Sequence, residues 1–143
     1  MNKTIFITAL LSSALTAQIG PLANGVYAIE EGKASGMNNV AIRQYEGKDI
    51  LLDRANFVPF VLEGKPEIHR EPRGGWLAIQ LAPEAANRLE DFTRSHMNRR
   101  IAVVVDDKIL STPTVRSVIK DGKAMVTPCE NESCETLMRQ LTR

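Results

Sequence analysis

At 143 residues, with 43% hydrophobic and only 5% aromatic content, the chain is long enough for one domain with its own core. Its formal charge is +1, and without the first 17 residues Lys and Arg fall from 18 to 17, equal to the 17 acids, because only Lys3 is lost. A neutral body excludes a non-specific nucleic-acid binder, which carries a basic excess over its whole domain.

In chain order, Lys3 precedes an uncharged, largely apolar run, Ile5–Leu15, with small residues toward and past its end at Ser12, Ser13, Ala14 and Ala17. That pattern is a secretory signal peptide, and the run is too short to span a bilayer stably. We read residues 1–17 as the signal peptide, with cleavage after Ala14 or Ala17, and residues 18–143 as one domain delivered to the periplasm. No later stretch reaches the ~18 apolar residues of a span, so no membrane crossing is expected. Gln18–Asn24 is a leader. Gly25–Glu30 is a first strand, and Asn39–Tyr45 a second with Val40, Ile42 and Gln44 on one face. After a turn at Glu46-Gly47-Lys48, Asp49–Leu52 is a short strand or the start of the next one. Asn56–Leu62 is apolar, but Pro59 bars it from a central position, so it is an edge strand or a loop tucked onto the core. Glu67–Arg70 is a weak strand, Glu71–Gly75 a loop, and Trp76–Leu81 a strong strand.

Leu81, Ala85, Ala86, Leu89 and Phe92 recur at helical spacing. Pro83 suits the first turn of that helix, Glu84 favours its N-terminus, and Arg94, Arg99 and Arg100 lie at or past its end. Ile101–Val105 is wholly apolar and mostly β-branched, as in a strand buried on both faces. Asp106-Asp107 turns the chain into Lys108–Leu110, and Ser111-Thr112-Pro113 breaks it. Val115–Ile119 and Ala124–Val126 flank Lys120-Asp121-Gly122-Lys123, the signature of a second hairpin. Asn131 can cap a last helix that buries Leu137 and Leu141. The expected fold class is α+β, a mainly antiparallel sheet with two helices packed on one face. Cys129 and Cys134 are the only cysteines, and an even pair in an oxidising compartment reads as a disulfide.

The run of residues from the helix to the second hairpin resembles the head part of the first periplasmic domain of the SecD family, accessory proteins of the Sec translocon. The matching residues are Glu84, Ala85, Ala86, Leu89, Phe92, Thr93, Ile101–Val104, Asp106, Ser111, Pro113, Ile119, Gly122, Ala124, Val126 and Thr127. The likeness covers about the last 60 residues, including the C-terminal helix. The family usually has Asp-Gly in the first hairpin turn; Asp106-Asp107 departs from it and requires positive φ from an Asp. The resemblance implies a SecD-head fold and a capacity to contact polypeptide, without the transmembrane motor of the family.

The residue types needed for chemistry do not assemble in the sequence. His69 and His96 have no second ligand at metal spacing, and Gly74-Gly75 is followed by a strand and not by Lys-Ser/Thr. Asp106 and Asp107 are explained by a turn, and no serine sits in a nucleophile motif. No catalysis, cofactor or metal is expected. Two loops remain as partner-binding candidates. One is Arg73, Gly74, Gly75 and Trp76, where an Arg and the only Trp, types enriched at binding hot spots, meet two glycines. The other is Ser111, Thr112 and Pro113, between strands. The reading is a SecD-head-like protein-binding module. Its first partner candidate is a periplasm-targeted toxin, which would make it an immunity protein; the alternative is an exported polypeptide, which would make it an accessory of Sec-dependent export.

Overall fold

The computed structural model describes residues 20–32, 39–129 and 132–143. The expected signal peptide and the Asn131 cap lie outside the described residues. Eight strands and two helices follow in the order β1 (Gly25–Ile29), β2 (Val40–Tyr45), β3 (Lys48–Pro59), β4 (Glu67–Glu71), β5 (Gly74–Gln80), α1 (Pro83–Ser95), β6 (Ile101–Val105), β7 (Lys108–Ser111), β8 (Lys123–Cys129) and α2 (Glu132–Leu141). All ladders are antiparallel, which with the two helices makes the fold α+β. The strands divide between two sheets, one of order β2-β3-β1-β6-β7 and one of order β4-β5-β8.

β6 lies between β1 and β7 and is buried on both faces, as its unbroken apolar run requires. One face of the five-stranded sheet gives Val26, Ala28, Val58, Ile101 and Val105 to the main core. Against it pack the inward residues of the smaller sheet, Leu77, Ile79 and Val126, and the apolar stripes of both helices, including Leu89, Phe92, Leu137 and Leu141. The opposite face of the larger sheet wraps a second, smaller core of Leu22, Tyr27, Ala41, Leu52, Ala102, Val104 and Ile109. The α1 stripe and Pro83 in its first turn are as the spacing predicts.

The structure refines two strand readings and overturns the second hairpin. In the strand over 40–45, Val40, Ile42 and Gln44 share one face as expected, and that face is the outer one: Ala41 is buried and Ile42 is 55% exposed. Asp49–Leu52 and the apolar stretch before Pro59 are one strand, β3, flanked by β2 only over Lys48–Asp53. Its ladder with β1 skips residues 54–56, so the strand bends there. Pro59 is tolerated because Phe60 N–H donates to Asn24 O (2.9 Å), which turns the preceding residue toward the open side of the ladder.

The second hairpin does not form. Val115 N–H donates to Arg99 O, Ile101 N–H to Pro113 O, and Ile119 N–H to the buried Thr93 hydroxyl of α1. The 113–119 segment therefore spends its backbone on the end of α1, and β8 pairs with β5 instead. Asp121 and Gly122 still turn left-handed (φ 64° and 66°). That turn packs on the start of α1, where Gly122 O accepts from Leu81 N–H.

Candidate functional site

The outer face of the three-stranded sheet carries an aromatic stack beside an exposed methionine. On β5, Leu77 and Ile79 point into the core, so Trp76, Ala78 and Gln80 point outward. The register sets His69 opposite Trp76, Glu67 opposite Ala78, Met125 opposite Ala78 on the other side, and Lys123 opposite Gln80. His69 and Trp76 stack face to face, with ring centroids 4.0 Å apart and planes within 5°. Met125 is 67% exposed. A groove of about 460 Å³ runs across this face between Trp76, Ala78 and Met125, rimmed by Glu67, Lys65 and Lys123. An aromatic plate beside a flexible thioether, with charges of both signs at the rim, suits an apolar chain segment of varied sequence.

The hairpin that joins β4 to β5 explains its glycines. Gly74 has φ 121°, which a side-chain-bearing residue rarely adopts. A Cβ on Gly75 would lie 2.7 Å from His69 O and 3.2 Å from Cys134 Sγ, so the strand can approach the Cys129–Cys134 disulfide only as glycine. The bridge ties the end of β8 to the first turn of α2 beneath this hairpin. Arg73 lies in the turn and lines a second cavity, about 310 Å³, with Arg70, Glu71 and Cys134. Arg70 is ion-paired with Glu135 of α2.

Of the residues singled out from sequence, Arg73, Gly74, Gly75 and Trp76 come together at one end of the smaller sheet. Ser111, Thr112 and Pro113 do not join them: β7 ends on the larger sheet, Thr112 Oγ1 accepts from Arg100 (2.7 Å), and Pro113 O accepts from Ile101 N–H (3.0 Å). Sequence reasoning missed Met125 and His69 as members of the face. The missing signal was the β5–β8 pairing, which would have set Met125 two strands from His69 on the Trp76 side. His96 caps α1, stacked on Phe92 at 4.2 Å, with its Nδ1 2.7 Å from Phe92 O. Among the described residues no group of three or more His, Cys, Asp or Glu side chains is placed to hold a metal ion. None of the described helices is long and apolar enough to cross a membrane.

A second polar cluster fixes the start of the described chain. Asp107 Oδ1 accepts from Leu22 N–H (2.7 Å) and from Arg43 (2.6 Å). Burial is the largest influence on this carboxyl and pushes its pKa up. The Leu22 N–H bond, the Arg43 hydrogen bond and charge, and the Arg54 charge together outweigh it and hold the group below its ordinary value of 3.8.

Comparison with known proteins places this architecture. Residues 60–142 match the family described as the SecDF P1 head subdomain. Among similar proteins, the translocase subunit SecD of Thermobaculum terrenum is 32% identical over 95 residues, which is 66% of this chain and 16% of that protein. The translocase subunit SecDF of Thermus thermophilus is 29% identical over 80 residues, 56% of this chain and 9% of that protein. The chain thus spans a sixth or less of the length of these relatives. Two solved structures share the fold. SecDF in its super-membrane-facing form has a TM-score of 0.56 at 18% identity, over 90% of this chain and 19% of that one. A structure of SecDF, described as a membrane component that enhances protein export, has a TM-score of 0.54 at 15% identity, over 98% of this chain and 71% of that one. The match spans β4 to α2 with the disulfide and covers more than half of the residues, and the chain belongs to the SecDF P1 head subdomain family.

Proposed function

We infer that this protein is a non-catalytic, protein-binding module of Sec-dependent export that contacts exported polypeptides through the outer face of its three-stranded sheet. The observation that carries the reading is the half-buried Trp76–His69 stack beside the exposed Met125, on a chain of the SecDF head family. The similar proteins are named as translocase subunits, which favours an exported polypeptide over a toxin as the partner. The immunity-protein reading finds no support among them. In this reading residues 1–17 direct the chain to the periplasm, and residues 18–143 act there as one SecD-head-like unit. Arg73, Gly74, Gly75 and Trp76 belong to the binding region, while Ser111, Thr112 and Pro113 brace the larger sheet.

The test is photo-crosslinking in living cells from position 125, with position 73 as a second probe and position 112 as the contrast. Capture of many exported polypeptides from 125 and 73, and few from 112, is the expected result. One dominant folded partner at 1:1 would reinstate the toxin reading, and silence at 125 and 73 would remove this face from consideration.

A further inference from the structure

Each of the two sheets ends in two edge strands, and three of the four edges are occupied or blunted. β2 and β7 lie against each other, with Arg43 of β2 bonded to Asp107 in the turn before β7. β8 runs beside β7 and carries Pro128, which has no N–H to offer. β4 alone has no described strand on its outer side and contains no proline. Its backbone direction follows from the hairpin. The His69 carbonyl faces β5, since a Cβ on Gly75 would lie 2.7 Å from it. In an antiparallel ladder the N–H and C=O of one residue point the same way, and successive residues alternate. The N–H and C=O groups of Ile68 and Arg70 therefore point outward, four main-chain groups ready to pair.

The side chains of this edge say what would pair with it. On the outer face stand Glu67, His69 and Glu71; on the inner face Ile68 packs against the main core and Arg70 is ion-paired with Glu135. A second copy of β4, paired antiparallel about His69, would set Glu67 against Glu71 twice, and like charges directly opposite destabilise a ladder. A strand with basic side chains four residues apart, and an apolar side chain facing Ile68 between them, meets opposite charge at both acids.

We propose that β4 takes up an extended polypeptide segment by strand addition, through the main-chain groups of Ile68 and Arg70, with a preference for basic residues opposite Glu67 and Glu71. The proposal rests on the reading of this sheet as the polypeptide-contacting region and adds the mode and the sequence preference. Main-chain pairing gives tolerance of many sequences. The two exposed acids add a modest, salt-sensitive bias.

Binding of short capped peptides to the full-length exported protein tests it, read by fluorescence anisotropy. The probe is a peptide with the alternation Lys-Val-Thr-Val-Lys; a second carries Glu in place of both Lys. Two further versions are N-methylated on alternate residues, one on both Val and one on Lys, Thr and Lys. Strand addition predicts that one methylated set abolishes binding and the other leaves it within about threefold, because only alternate N–H groups face the edge. It predicts that the Glu version binds more weakly, with the gap closing at high salt. Arg70→Ala keeps the main-chain donor and serves as the reference for removing it. Arg70→Pro removes it and should lose about tenfold. Equal effects of the two methylated sets, a preference for Glu, or no binding of any peptide would overturn the proposal, and the methylated pair needs no variant to fold. If crosslinking from position 125 captures exported chains while the two sets behave alike, strand addition fails and the export reading stands. If crosslinking is silent, the reading of this face as the polypeptide-contacting region itself fails.

Discussion

The second Asp of the β6–β7 turn shows how a residue that breaks a local rule is used elsewhere. Asp106 and Asp107 both sit at positive φ (53° and 64°), where glycine is the easy choice. Asp107 recovers that strain by bonding Leu22 N–H and Arg43, and so seals the leader over the small core that Leu22 and Tyr27 share. Its carboxyl titrates lower in the folded chain than in the unfolded one. Its stabilising effect is therefore present above the ordinary value of 3.8 and is lost as pH falls through the lower folded value. Asp107→Asn should cost about 1 kcal/mol at neutral pH, screened because the side chain is partly exposed, and the cost should vanish in acid below that window. Thermal melts of both proteins across pH 2–7 check it; a cost that persists undiminished in acid would mean that charge is not the agent. The family's Asp-Gly pattern made the departure visible in sequence. Its use was not legible there, because the partners Leu22 and Arg43 lie far along the chain.

Local pattern served the elements well wherever neighbours in sequence are also neighbours in space. The α1 stripe, the doubly buried β6 and the tight β6–β7 turn could all be read directly, since each is decided by a period or a pair of residues. The pairing of β8 could not. Asp121-Gly122 signals a hairpin, but Thr93, buried in α1, takes the N–H of Ile119 (3.0 Å) while donating to Leu89 O (2.9 Å). That single hydroxyl helps to hold the 113–119 segment on the helix and leaves β8 for β5. Thr93→Val keeps the shape and removes the acceptor. It should destabilise by about 1–3 kcal/mol through the unpaired N–H. Urea unfolding measures it, and a change within about 0.5 kcal/mol would show that the hydroxyl is not needed. The candidate site was half legible for the same reason. Trp76 and Arg73 were visible by type, whereas Met125 joined them only through the non-local ladder.

Across the described residues, two sheets and two helices share one main core, and the staple that joins β8 to α2 closes a very short loop. Chain-entropy reasoning gives such a bridge about 2 kcal/mol. The double substitution Cys129→Ser with Cys134→Ser should lower the melting temperature by several degrees without changing the circular dichroism of the folded state. An unchanged melting temperature would place α2 outside the cooperative unit. The division into two sheets was not readable from the strands themselves, since each alternates or runs apolar whichever sheet it joins. Asn24, at the start of β1, donates to Gln140 O in the last turn of α2 (2.9 Å) and accepts from Asp106 N–H (2.9 Å). Gln140 in turn donates to Asp106 (3.1 Å). The first and last elements of the described fold thus meet side by side. Tension applied to the two ends of the described fold would load these contacts before it reached the β1 ladders. The disulfide then sets how far α2 can peel before the load reaches β8.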